Sequence, residues 1–128
     1  MNINSALREK PAFVSLSGAD FRNIQDAEQT LGLRFSQEYK EYVREFGAAS
    51  FQGHELTGIC DIPYLNVVDI TITKKKLMPR IEASWYVIEE AHIDGIVIWQ
   101  NELGHVYQTS PFGLPKKIAD SLLEYIEL

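Results

Sequence analysis

The chain has a single cysteine, Cys60, in 128 residues, so no disulfide can form within it and a reducing compartment is the natural setting. Long hydrophobic runs are missing too. The strongest, residues 96–99, falls far short of the ~20 residues needed to cross a bilayer. Residues 1–10 mix Asn, Ser, Arg, Glu and Lys and lack the apolar core of a secretory signal, which makes the cytoplasm the expected location. Basic residues are in deficit: 12 Lys and Arg face 18 Asp and Glu, for a formal net charge of −6. An acidic surface repels phosphate backbones and favours basic partners, which argues against direct nucleic-acid binding, although solubility alone would explain the same charge. The glycines form neither a Walker loop nor a dinucleotide fingerprint, and the three histidines have no zinc-site spacing. No cofactor or metal is therefore expected.

The composition, 45% hydrophobic and 23% charged, is that of an ordinary globular domain. One domain over residues 1–128 is expected, with residues 1–16 as an N-terminal extension that has room for part of a helix. Within it, Ser17 is suited to cap a helix with Phe21, Ile24, Ala27 and Leu31 on its core face, and Gly32 to end it. Ser36 is the next cap, before a stripe of Tyr39, Tyr42, Val43 and Phe46 that Gly47 stops. Two short strands surround Gly53, and Gly58 suggests a bulge or a close backbone approach. Residues 85–90, 96–99 and 105–108 read as a three-stranded antiparallel meander, turned at Asp94-Gly95 and at residues 101–104. Pro115 followed by Ile118, Leu122, Tyr125 and Ile126 predicts a final helix over residues 116–128, with residues 111–115 as a rigid connection. Residues 66–76 are ambiguous. Val67, Val68, Ile70, Thr71, Ile72 and Thr73 have the β-branched content of a strand, yet Val67, Ile70 and Lys74 share one side of a helix.

The run Ile24, Glu28, Leu31-Gly32, Tyr39, Tyr42-Val43 and Phe46-Gly47 resembles the opening of the SUKH superfamily. That superfamily includes a yeast regulator of cell-wall synthesis and many bacterial immunity proteins. Its opening has an apolar residue, an acidic one, a Leu-Gly pair, an aromatic-rich helix and a glycine-containing stop. Gly58-Ile59, Val67-Val68 with Thr71, and Val106-Tyr107 resemble later blocks, so the likeness spans residues 21–128. Phe35 stands where a proline is common, and Gly47-Ala48 where two glycines often occur. The resemblance implies an α+β fold, an antiparallel sheet flanked by helices, and no catalytic centre. It also favours helix for residues 66–76. Bacterial members are typically small cytoplasmic antidotes to toxins that are frequently nucleases.

Candidate chemistry is sparse. Cys60 would need a histidine (His54, His92 or His105) and a positive environment to act as a nucleophile, but Asp61 sits beside it; a structural cysteine ending a strand is the better reading. A carboxylate pair among Glu55, Asp61, Glu89 and Glu90 has no spacing to recommend it over solvated surface charges. Lys74-Lys75-Lys76 reads as a solvated helix end, and Trp85 and Trp99 as core unless exposed on a concave sheet face. The expectation is thus a non-catalytic binding protein, a monomer or weak homodimer, that neutralises a cognate toxin, with a basic nuclease domain as the toxin class in view. Acidic residues near the strand turns, Asp61, Glu89, Glu90, Asp94 and Glu102, with Glu82 as an adjunct, are the expected contact patch. The alternatives are a regulatory module without a toxin partner and, less favoured, a small enzyme using Cys60 or a carboxylate pair.

Overall fold

A computed structural model describes residues 2–128. Its spine is one antiparallel sheet whose strands lie side by side in chain order: β1 (Val14–Ser15), β2 (Ala49–Phe51), β3 (His54–Leu56), β4 (Tyr86–Glu90), β5 (Val97–Gln100), β6 (Val106–Thr109) and β7 (Lys116–Ala119). Helix α1 (Ile3–Arg8) precedes β1, α2 (Phe21–Leu31) and α3 (Gln37–Phe46) fill the excursion to β2, α4 (Val67–Leu77) joins β3 to β4, and α5 (Leu122–Ile126) closes the chain. The α+β class and the central meander β4–β5–β6 are as the sequence predicts.

The helix pair is built by its local signals. Gly32, at φ +66°, ends α2, and the Leu33 amide folds back to the Glu28 carbonyl. The Ser36 hydroxyl accepts from the Tyr39 amide, and Tyr39, Tyr42, Val43 and Phe46 are all buried. Phe35, in the place of a proline, is buried at the loop and meets Tyr86 edge-on at 4.8 Å between ring centroids. Glu28, the acidic member of the opening motif, accepts the Phe35 amide at 2.9 Å. At Gly58 the backbone approach is real: a Cβ there would lie 1.6 Å from the Gly47 carbonyl oxygen.

Four expectations are corrected. Asp20, not Ser17, caps α2, accepting from the Asn23 amide, so the helix starts later and Phe21 faces solvent while Ile24 and Ala27 are buried. Residues 116–128 are not one helix: Lys116–Ala119 pairs with β6, and the chain becomes helical only after Ser121 caps Glu124. The N-terminal segment is partly helical, as expected, but it is no mere extension, because α1 places Ile3, Ala6 and Leu7 in the main core. Cys60 lies half-buried in the loop after β3 rather than at a strand end. The ambiguous segment 66–76 is helical, with Asn66 Oδ1 accepting from the Val68 amide at its start. Its Thr71 hydroxyl accepts from the Val87 amide at 3.0 Å, tying α4 to the sheet.

The sheet divides the interior into two clusters. Tyr86, Ile88, Ile98 and Val106 join the side chains of α1, α2, α3 and α5 on one face. Val87, Val97, Trp99 and Trp85 join Ile70 on the other, with Met78, Ile81 and Tyr107 partly covering them.

Candidate binding surface

The larger face is occupied by a closed hydrogen-bond network. The Thr57 hydroxyl donates to the Val87 carbonyl at 2.8 Å and so accepts from Tyr39 at 2.8 Å, while Tyr42 donates to the Thr57 carbonyl at 2.7 Å. Tyr86 accepts from the Ser36 amide and donates to Gln100, whose amide donates to the Gly104 carbonyl and to Glu38. Glu38 in turn accepts from the Leu122 and Leu123 amides at 2.6 and 2.9 Å, capping α5. Burial pushes the phenols of Tyr39, Tyr42 and Tyr86 well above the ordinary tyrosine value; like-charge neighbours add to this, and their hydrogen bonds offset only part of it. These groups are neutral structural donors.

The five expected contact acids do not form one patch. A register shift between Val87 and Glu89 puts Glu89 opposite Ile98, a member of the larger cluster, and so turns it inward. Glu89 is only 4% exposed; its carboxylate accepts from the Glu55 amide at 3.0 Å and from the Tyr125 hydroxyl at 2.5 Å, with His54 Nδ1 at 3.1 Å. It is a buried anchor for β3 and α5, not a surface group. Burial, reinforced by Glu89, drives the Tyr125 phenol upward. Glu90 is half-buried and paired with Lys74 at 2.7 Å. Asp94 and Glu102 are exposed, but in turns at opposite ends of β5, roughly 13 Å of strand apart. Asp61 is exposed beside a cleft of about 520 Å³ that Ser17, Cys60 and Asn66 also line, with no histidine among its lining residues. Glu82 is exposed in the loop before β4.

Other sequence candidates are also placed. Trp85 and Trp99 are buried, Trp99 donating from Nε1 to the Thr109 hydroxyl at 2.8 Å and Trp85 stacking on Tyr107 at 4.1 Å. His92 is exposed and His105 half-buried. Among the described residues, no group of three or more His, Cys, Asp or Glu gathers as metal ligands do, and no helix is long and apolar enough to cross a membrane.

A surface that residue-by-residue reading missed lies where the smaller face meets the sheet end. Residues 78–81, after α4, and residues 109–115, from the last residue of β6 to the start of β7, enclose an open cleft of about 570 Å³. Met78, Ile81, Pro111 and Leu114 supply apolar walls, and Arg80 is the one charged residue lining it. Phe112 and Leu114, 98% and 91% exposed, are the most exposed of the large hydrophobics among the described residues. Residues 111–115 are therefore more than a connection. The available signal was two apolar residues stranded between prolines in a loop, where neither has a core to enter.

A family model, SUKH_5, described as SMI1-KNR4 cell-wall, matches residues 1–127. No curated protein matches the chain significantly.

Proposed function

The chain belongs to the SMI1-KNR4 (SUKH) family, and from that premise we propose that it is a non-catalytic binding protein of the immunity type, which neutralises a cognate protein toxin by direct contact. The family includes toxin-immunity proteins, and the match over residues 1–127 is the observation that carries the reading. The interior supports it. The polar groups that could do chemistry, Glu89, Glu38, Tyr39 and Tyr86 among them, are already engaged in holding strands and helices together. Their environment offers packing rather than an open reacting position.

Binding at a distance is governed by net charge. At −6 the molecule attracts a basic partner, and a nuclease domain with a basic groove is the class this charge suits. Because Asp61, Asp94 and Glu102 are dispersed, their effect is steering during approach rather than imitation of a phosphate row.

The test is coexpression with a toxin-like protein encoded beside the gene, followed by purification at low salt. A stable complex and protected cells are expected. Absence of both, with the chain folded, would overturn the immunity reading and favour the regulatory one that the family's cell-wall description suggests.

A further inference from the structure

The positive charge of this acidic protein is not spread evenly. Six of its 12 basic residues, Lys74, Lys75, Lys76, Arg80, Lys116 and Lys117, fall in two short stretches of chain that lead into or out of the segments 78–81 and 109–115 lining the cleft, and Arg80 is the one of them in the lining. Lys74 is paired with Glu90 and Lys117 with Asp120, while Lys75 donates to the Ala83 carbonyl at 2.7 Å. Lys76, Arg80 and Lys116 are exposed and take part in no ion pair among the described residues. The cleft itself has Arg80 and no carboxylate in its lining.

Its floor is apolar in effect as well as composition. The Thr109 hydroxyl already accepts from Trp99 and donates towards the Met78 sulfur at 3.5 Å. A ligand entering there would leave the Thr109 hydroxyl satisfied. The far wall is held in shape: Pro111 and Pro115 fix backbone angles, and the Gly95 turn packs so closely on Pro111 that a Cβ there would lie 2.8 Å from its ring. A wall already rigid loses little entropy on binding.

We propose that this cleft is the docking site for an anionic, apolar-bearing polypeptide segment of the partner, separate from the basic groove that the overall charge of −6 attracts. Its hydrophobic side chain sits between Ile81 and Leu114, and its carboxylates meet Arg80, Lys76 and Lys116. Complementarity of charge selects the segment, since the rest of the molecule repels acidic chains. Concavity favours a polypeptide over a bilayer, because a side chain fills a cleft that a flat surface leaves empty. The proposal deepens the immunity reading and rests on it for the identity of the partner.

The test uses the full chain labelled with 15N and titrated with a short synthetic peptide of alternating glutamate and leucine. Lysine–leucine and glutamate–serine peptides serve as comparisons. Amide shifts confined to Arg80, Ile81, Thr109 and Gly113 are expected for the first peptide alone. Arg80→Glu and Leu114→Ser should each weaken its binding about tenfold or more, whereas Arg34→Glu, in the exposed turn before α3, should not. All three positions are on the surface, and an unchanged melting temperature verifies the fold. Equal binding of the lysine peptide, shifts elsewhere, or no binding would overturn the proposal. So would cosedimentation with phosphatidylglycerol vesicles that Phe112→Ser abolishes, combined with no peptide binding. If Arg80→Glu and Leu114→Ser lose the peptide but still neutralise the toxin, docking at the cleft is overturned and the immunity reading survives. If wild-type chain binds the peptide in the cleft yet never protects cells, the cleft stands and the immunity reading falls.

Discussion

On the sheet face covered by α1, α2, α3 and α5, Tyr39, Tyr42 and Tyr86 are sealed, and each hydroxyl has a fixed partner. On the opposite face, Trp85, Trp99 and Tyr107 form a smaller cluster that α4 and residues 78–81 cover only in part, and the cover ends in an open cleft with Arg80 in its lining. Aromatic side chains thus dominate both faces, but the second ends in an open apolar cleft whose one charged lining residue, Arg80, is in no ion pair among the described residues. The family-like motif residues Glu28, Gly32, Tyr39, Phe46 and Gly47 all belong to the sealed face or its connections. The motif describes how the scaffold is made; the open side is where individual recognition has room to differ.

The comparison breaks most severely at Phe35. Phe35→Ala removes a buried ring that touches both Tyr39 and Tyr86, and should cost about 3–5 kcal/mol by denaturant titration. A loss below about 1 kcal/mol would mean that the sealed face is not the principal core. Alkaline pH attacks the same face through its phenols. Their ionisation is held above the ordinary tyrosine value of about 10 in the fold, whereas unfolded tyrosines ionise near it. The neutral folded state therefore holds more protons than the unfolded chain above that pH. The stability from this source is complete below pH ~10 and falls as pH rises further, by about 1.4 kcal/mol per pH unit for each tyrosine. Urea midpoints measured on either side of pH 10 would show it, and a flat profile would remove the buried phenols from the account.

Smaller still is Tyr86→Phe. It leaves the buried Ser36 amide without its acceptor and removes one donor from Gln100 Oε1, and should cost about 1–3 kcal/mol with the ring packing kept. Leu114→Ser on the open side should change stability by no more than about 0.5 kcal/mol, because the side chain is already in water. A larger loss would make residues 109–115 part of the core and leave the cleft without an exposed wall.

Legibility in the sequence follows the range of the interactions. The α2–α3 pair, apart from the α2 cap, was readable because stripes, glycine stops and the Ser36 cap act within a few residues. Asp94-Gly95 was readable for the same reason, both residues taking the positive φ that a tight hairpin needs. Helix α4 was not, since Val67, Ile70 and Thr71 carry strand propensity that burial against the sheet overrides. In β7 the spacing of Ile118, Leu122 and Ile126 imitates a helix. Ser121 with Glu124 three residues later was the capping signal that separates strand from helix. Glu89 was misplaced because one residue of bulge exchanges the faces of a strand, and no alternation pattern reveals a bulge. The cleft brings together Arg80 and Leu114 from segments far apart in the chain, so only tertiary structure exposes it.

The most direct test of the central claim, that the interior builds a scaffold and the surface does the work, is isothermal titration calorimetry against the cognate toxin with Tyr86→Phe and Arg80→Glu in parallel. The account predicts that Tyr86→Phe, though less stable, keeps wild-type affinity while folded, and that Arg80→Glu keeps its stability but binds about tenfold more weakly or worse. Loss of affinity in folded Tyr86→Phe with Arg80→Glu unaffected would contradict it.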